Sequence, residues 1–343
     1  MNVLGIESSC DETAAAVVED GRRVRSSVVW SQVALHAPYR GVVPEIASRN
    51  HLRSIVPVVD EALAKAGTDL SGIDGIAVTI GPGLIGSLLV GVQFAKALAL
   101  GRGLPVVGVN HLEAHVMAAF LVPDRDPPRF PFVALAVSGG HTSLYLLSRP
   151  GEVALLGRTL DDAAGEAMDK AAAQLGLPYP GGVAIDRVSE GRDRAAVKFP
   201  RSMIKDPTLD MSFSGLKTAM RHHLLKRPEA LGADEVGDIS ASFQEAVVDV
   251  LVHKTIAAAR ANAVRDVVIA GGVAANRRLR ARMASAAEAA GLVLHPVPIS
   301  LCTDNAAMIA GLGHRYLFGE LSSAPLPRGL EMDPFVRHVA DGW

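Results

Sequence analysis

Aromatic residues are scarce in this 343-residue chain, at 4%. That excludes large stacking platforms for single-stranded nucleic acid and leaves sites built from backbone and small polar groups. There are two cysteines, Cys10 and Cys302. They are far apart and outside any C-x-x-C spacing, so they exclude a disulfide framework and a cysteine-rich zinc ribbon and point to a reducing compartment. An excess of one charge is also lacking. With 34 Lys and Arg against 36 Asp and Glu the formal net charge is -2, so contact with nucleic acid must rest on local patches. No apolar run reaches about 18 residues without a polar interruption. Met1 to Glu7 has neither a basic nor an apolar leader region, and the expectation is a cytoplasmic protein with no membrane partner.

What is present is an ordinary compact composition, 49% hydrophobic and 20% charged, with a length that suggests two domains at about 150 residues each. Residues 3–6, 14–18 and 24–29 read as strands around the polar loop Glu7 to Thr13. A helix over 44–66, a strand over 75–80, a glycine loop at 81–86, a helix to about Leu100, a strand over 105–109 and a helix from His111 follow. The order then repeats. Strands over 132–137, 142–147 and 153–156 precede a helix over 161–175, and strands over 266–270 and 292–297 each lead into a helix, the last after Asp304. The repeat predicts two similar α/β lobes, residues 1–125 and 132–343, joined by a polar linker within Pro123 to Pro131. Ligand would lie in a central cleft, and the second lobe carries an insertion at about 176–238.

Each lobe opens with strand, polar loop, strand. Glu7 to Thr13 and Ser138 to Thr142 are turns of small residues whose backbone N–H groups suit phosphate oxygens. Gly271 to Asn276 lies between a strand and a helix. Its glycines would let a nucleoside approach the backbone, and Asn276 would either read a ribose or base edge or cap the helix. His111 and His115 follow Asn110 and flank Glu113, residues suited to N-cap and N3 positions, and their i, i+4 spacing puts both imidazoles on one helix face. Asp304, at the start of the equivalent helix of the second lobe, would join them across the cleft in a mixed nitrogen and oxygen site for iron or zinc. Leu112 follows His111, so the H-E-x-x-H protease motif is absent. Asp162, Glu166, Asp169 and Lys170 share one helix side, and Asp169 with Asp186 suits hydroxyls or an amine. Two basic runs, Arg277, Arg278, Arg280 and Arg282, and His222, His223, Lys226 and Arg227, read as solvated faces or as nucleic-acid contacts. Cys302 is expected in buried packing.

The segments Leu4 to Thr13, His111 to His115, Val137 to Thr142, Asp161 to Glu166, Tyr179 to Gly182, Ser212 to Lys217, Gly271 to Asn276 and Thr303 to Asn305 together carry a family likeness. Over Val3 to about Tyr316 the chain resembles the bacterial TsaD proteins. These are tRNA N6-adenosine threonylcarbamoyltransferases of the actin-like ATPase and sugar kinase (ASKHA, RNase H-like) fold group, formerly labelled O-sialoglycoprotein endopeptidases. The resemblance implies two duplicated actin-like lobes. It also implies transfer of a threonylcarbamoyl group from threonylcarbamoyl-adenylate to N6 of the adenosine 3′ of the anticodon, in tRNAs reading codons that begin with A, with release of AMP. The metal, one Fe2+ per subunit with Zn2+ as the alternative, falls on His111, His115 and Asp304. An adenine nucleotide is expected in the cleft, and substrate contacts fall on Val137, Ser138, Gly139, Gly140, His141, Asp169, Gly182, Asp186 and Asn276. Asp11, Glu12 and His141 are the candidates for a general base. The implied partners are tRNA, a TsaB-like paralogue and a TsaE-like ATPase. Glu7 stands where sugar kinases of this group usually have an aspartate, which sets the chain apart from a conventional kinase. The competing readings are a metal-dependent glycoprotease and a non-catalytic nucleotide-binding scaffold.

Overall fold

The chain opens on β1 (Asn2–Glu7), β2 (Glu12–Glu19) and β3 (Arg23–Ser31), followed by the one-turn helix α1 (Val33–His36), α2 (Pro44–Lys65), β4 (Gly75–Gly81), α3 (Ile85–Arg102), β5 (Val106–Asn110) and α4 (His111–Met117). It continues with β6 (Phe132–Val137), β7 (Thr142–Arg149), β8 (Glu152–Arg158), α5 (Ala164–Gln174), α6 (Gly181–Val188), α7 (Ser214–Leu225), α8 (Ala233–Ala261), β9 (Asp266–Ala270), α9 (Arg277–Ala289), β10 (Val293–Pro296) and α10 (Ala306–Leu317). This computed structural model describes all residues except 40, 123–124, 150, 227–230, 322–326 and 337–343. Two units emerge, Met1–Pro127 with Thr303–Trp343, and Pro128–Cys302.

In the first unit the sheet order is β3-β2-β1-β4-β5. β1 pairs antiparallel with β2 and parallel with β4. Strands β1, β2 and β4 are continuous apolar runs because helices cover the central sheet, and such strands do not alternate. Pro44 starts α2 at the position where a missing N–H costs nothing. From there Ile55, Val58, Val59, Ala62 and Leu63 face the core with Leu4, Ile6, Val78 and Val92. The 18-residue helix α3 is long and apolar enough to cross a membrane by length and composition. Here its Leu88, Val92, Ala95 and Ala99 are buried in the unit.

In the second unit the order is β10-β9-β6-β7-β8. From the third hairpin strand inward this is the same sequence of strands: two antiparallel hairpin pairings, then two parallel partners. The duplicated α/β architecture expected from the repeat is present.

The boundaries differ from the expectation at three places. Residues 303–343 were expected in the second lobe, but α10 packs on β1, β2, β4, β5 and α4 of the first unit. The local reason is steric. Gly5 on β1 has no Cβ, so the Ala306 carbonyl closes on it directly, and an added Cβ would lie 2.8 Å from the Ala310 nitrogen. The split between Pro127 and Pro128 falls inside the expected linker, of which residues 123 and 124 lie outside the described ones. The helix expected from Asp161 begins only at Ala164. Asp161 is drawn away to the start of α7, where it accepts from the Phe213 and Ser214 N–H groups at 2.8 and 3.2 Å. The insertion holds α6 and α7, and α8 already begins before its expected end.

Candidate functional site

The sharpest constellation lies wholly in the first unit. Asn110 ends β5 and caps α4, its Oδ1 accepting from the N–H groups of Leu112 and Glu113 at 2.9 and 3.2 Å. That cap fixes the start of a helix whose seven residues are all buried, and it turns His111 and His115 to the same side with their rings 4.6 Å apart. Asp304 joins them from the segment leading into α10. His115 Nε2 is 3.1 Å and His111 Nε2 3.5 Å from Asp304 Oδ1, and one donor atom from each residue lies within 4.8 Å of the others. The carboxylate was expected from the opposite lobe. Because α10 belongs to the first unit, the three ligand candidates share one unit, and no closure of lobes is needed to assemble them.

Glu7 completes the group. Expected in the polar loop, it is the last residue of β1 and is fully buried. Its Oε1 accepts from the Ser9 N–H at 2.5 Å, and its Oε2 accepts from Thr79 Oγ1 at 2.5 Å and from His111 Nδ1 at 3.0 Å. Ser9 Oγ stands 3.4 Å from the same nitrogen. A carboxylate can only accept here, so Glu7 accepts the Nδ1 hydrogen bond of His111, and Nε2, turned to Asp304, is the nitrogen whose proton a cation would displace. The signal in the sequence was a glutamate closing an apolar strand. Glu113 stands at the expected N3 position, is buried and accepts from Tyr316 Oη at 2.5 Å, tying α4 to α10.

Electrostatics follow the burial. Burial opposes charge on His111, yet the carboxylates of Glu7 and Asp304 hold its imidazole well above the ordinary value. Burial likewise opposes ionisation of Asp304, and His111 with His115 pulls it well below the usual carboxylate range. The pocket thus concentrates negative charge at the imidazole edge. Two histidine nitrogens and a carboxylate oxygen, with one imidazole braced from behind by Glu7, match a divalent transition metal. Nearby, burial with the charges of Asp304 and Asp11 pushes Glu12 up to about 8, and Ser31 Oγ donates to its Oε1 at 3.0 Å. The Cys10 thiol is pushed up by burial and by Asp11, which disfavours the thiolate.

The second unit gathers the other expected residues. In the β6–β7 turn, the Ser138 N–H donates to the His141 carbonyl at 2.8 Å and the His141 N–H to Ser138 Oγ at 3.1 Å. Gly139 and Gly140 project into open space. Gly271, at φ +91°, lies against the turn's first strand, where a Cβ would come 2.5 Å from the Val137 carbonyl oxygen. Asn276 does cap α9, its Oδ1 accepting from the Leu279 N–H at 2.9 Å, while its Nδ2 is buried with no partner among the described residues. One end of Asn276 thus caps the helix, and the other is unspent. Asp169 accepts from the Gly181 and Gly182 N–H groups at 2.7 and 3.2 Å, and burial raises its carboxyl despite those donors. It departs from the expected shared face, on which Lys170 pairs with Asp162 and Glu166 at 2.7 and 2.9 Å. Asp186 is held by Gln244 Nε2 and Arg277 Nε, both at 2.8 Å.

The arginine run of α9 is not a free basic patch. Arg277 pairs with Asp186 and Glu190, Arg278 forks onto Glu245 at 2.6 and 2.7 Å, and Arg282 reaches Glu245 and Asp249. Arg280 donates to the Ala274 and Val297 carbonyls and approaches the buried Cys302 sulfur at 3.2 Å. Their spacing suggested nucleic-acid contact, but Asp186, Glu190, Glu245 and Asp249 pair with Arg277, Arg278 and Arg282 across more than 30 residues, which no local window shows, and two carbonyls hold Arg280.

Known proteins bear on both units. The chain matches the family described as TsaD, tRNA N6-adenosine threonylcarbamoyltransferase, over residues 23–311. It is 57% identical over 326 residues to the tRNA N6-adenosine threonylcarbamoyltransferase of Anaeromyxobacter dehalogenans strain 2CP-1, covering 94% of this chain and 97% of that one. It is 58% identical over 317 residues to that of Geobacter sp. strain M21, covering 92% of each. Among solved structures it resembles full-length HypF in its phosphate- and nucleotide-bound form, at TM-score 0.61 and 13% identity over 93% of this chain and 47% of that one. It also resembles component A of the Acidaminococcus fermentans (R)-2-hydroxyglutaryl-CoA dehydratase, at 0.54 and 16% over 91% and 96%. At those identities the likeness concerns the fold alone, which is the actin-like ATPase, or ASKHA, architecture. By the extent of its family match and the identity to its relatives, the chain belongs to the TsaD family of tRNA N6-adenosine threonylcarbamoyltransferases.

Proposed function

We infer that the chain forms N6-threonylcarbamoyladenosine in tRNA, taking the threonylcarbamoyl group from threonylcarbamoyl-adenylate and releasing AMP. The observation that carries the reading to this chain's own residues is the buried cluster of His111, His115 and Asp304, braced by Glu7, within a chain of this family. Those three residues would hold one Fe2+, or Zn2+. When bound, the ion supplies a Lewis acid that polarises the carbamoyl group and fixes its orientation. The Ser138 to His141 turn, Asn276 Nδ2 and the Asp169 and Asp186 carboxylates are the groups of the second unit suited to the adenylate, through backbone donors for phosphate and acceptors for hydroxyls or the threonyl amine.

The exocyclic adenine amine is a weak nucleophile, so removal of its proton during attack on the carbamoyl carbon lowers the barrier. Of Asp11, Glu12 and His141, we favour Glu12. Burial raises its proton affinity above that of an ordinary carboxylate, which strengthens it as a base. Glu12→Gln should lower the transfer rate about 10²–10⁴-fold and leave metal content unchanged; an unaltered rate moves the role to Asp11 or His141. The partners we propose are a TsaB-like paralogue and a TsaE-like ATPase, in the cytoplasm. Incubation of the protein with threonylcarbamoyl-adenylate and unmodified tRNA, followed by nucleoside mass analysis, tests the activity. Absence of threonylcarbamoyladenosine with those partners present would refute it.

A further inference from the structure

We propose that the exposed face of α7, with Lys198 alongside it, is a docking surface for the phosphate backbone of tRNA. This rests on the tRNA-modifying function proposed above and adds where the chain itself grips the RNA. Helix α7 carries no acidic residue, and Lys217, Arg221, His222 and the following Lys226 are all exposed. The preceding segment brings a further cation to the helix. The Phe199 ring lies 6.4 Å from that of His223, and Ser202 Oγ would touch a Cβ on Gly215, so the strand of chain with exposed Lys198 runs along α7.

The contrast with the ion-paired arginines of the unit carries the assignment. Arg277, Arg278, Arg282, Arg201 and Arg192 are all ion-paired. Among the described residues Lys198, Lys217, Arg221 and Lys226 have no such partner. The carboxylate at the start of α7, Asp161, is already saturated by the Phe213 and Ser214 N–H groups and the Ser212 and Ser214 hydroxyls. In a chain of net charge -2, four cations without an ion-pair partner on one surface attract a polyanion. The face offers Leu225 as its one large exposed apolar side chain and no aromatic. A protein interface needs an apolar, aromatic-rich centre, whereas phosphate contacts need lysine and arginine without reading a base.

Binding of fluorescently labelled unmodified tRNA to the full chain, measured across a salt series, tests the assignment. Lys217→Gln with Arg221→Gln should weaken binding about tenfold at low salt and flatten the dependence of log K on log salt by about 0.7–0.9 per lost contact. Charge reversal by Lys217→Glu, Arg221→Glu and Lys226→Glu should weaken binding further. Bound metal and affinity for threonylcarbamoyl-adenylate should not change, and the melting temperature, checked in both variants, should stay within a few degrees. Unchanged affinity and salt slope in the neutral pair would overturn the proposal. So would unchanged tRNA affinity together with lost binding of a protein partner, which would assign the face to a protein. If the parent protein, with its partners, leaves tRNA unmodified, the functional reading itself fails, a result visible before any variant is made.

Discussion

The two units share one strand order, yet their first hairpin turns do opposite things. After β1 the chain folds inward: Ser8 and Ser9 are buried, and the Ser9 N–H is spent on the Glu7 carboxylate. After β6 the corresponding turn stays outside, with Gly139 and Gly140 unobstructed and Ser138 closing the loop on His141. The same topology therefore supports a buried acid and histidine cluster in one unit and an exposed backbone cradle in the other. What differs is the residue closing the strand, Glu7 in one and Val137 in the other. A charge at that point must find partners inside, and it finds them in Thr79 and His111. A valine makes no such demand.

The comparison breaks most visibly at the metal cluster. His111→Ala should strip bound iron or zinc from the purified protein and slow transfer by about 10²–10³-fold, as read by metal analysis and nucleoside mass analysis together. Full metal content would show that the first unit's pocket is an ion-pair network and nothing more. Glu7→Gln is the sharper cut. It keeps shape and removes the charge that orients His111, so metal affinity, measured by competition with a chelator, should fall about 10–100-fold. An unchanged affinity would reduce Glu7 to a packing residue.

Much of this contrast was legible in advance, for reasons that can be named. The apolar runs of β6 and β9 and the hairpin patterns gave the strands closely, because period and turn chemistry are local. The i, i+4 histidines and the Asn110 cap were likewise local, and both stand in the structure. Three features depend on distant residues and were misread or missed. The docking of α10 on β1 follows from Gly5, some 300 residues away. The neutralisation of the α9 arginines depends on Glu245 and Asp249 of α8. The role of Glu7 depends on Thr79 and His111. In each case the deciding partner is brought in by tertiary packing, to which hydrophobic period and local spacing are blind.

Two further changes sharpen the comparison within the second unit. Gly271→Ala places a Cβ on a left-handed backbone against the Val137 carbonyl, so it should cost about 1–3 kcal/mol of stability. Gly139→Ala meets open space and should leave the melting temperature nearly unchanged while weakening nucleotide binding. Equal stability losses at both would mean that the exposed turn is as tightly packed as its buried counterpart.

The smallest expected effect concerns the pair that replaces a basic surface with an internal one, Arg278 and Glu245. Burial alone would raise the Glu245 carboxyl, but the hydrogen-bonded guanidinium of Arg278, with Arg282, holds it below the ordinary value. A carboxyl lowered in the folded state contributes stability that is present above its unfolded pKa and is lost as pH falls through the folded one. Glu245→Gln should therefore destabilise the protein near neutral pH and have little effect well below pH 4. Because the pair is partly solvated, the coupling energy in a double-mutant cycle with Arg278→Gln should be on the order of 1 kcal/mol. A zero coupling would free these arginines from their internal role and return α9 to the set of surfaces available to an RNA backbone, in competition with α7.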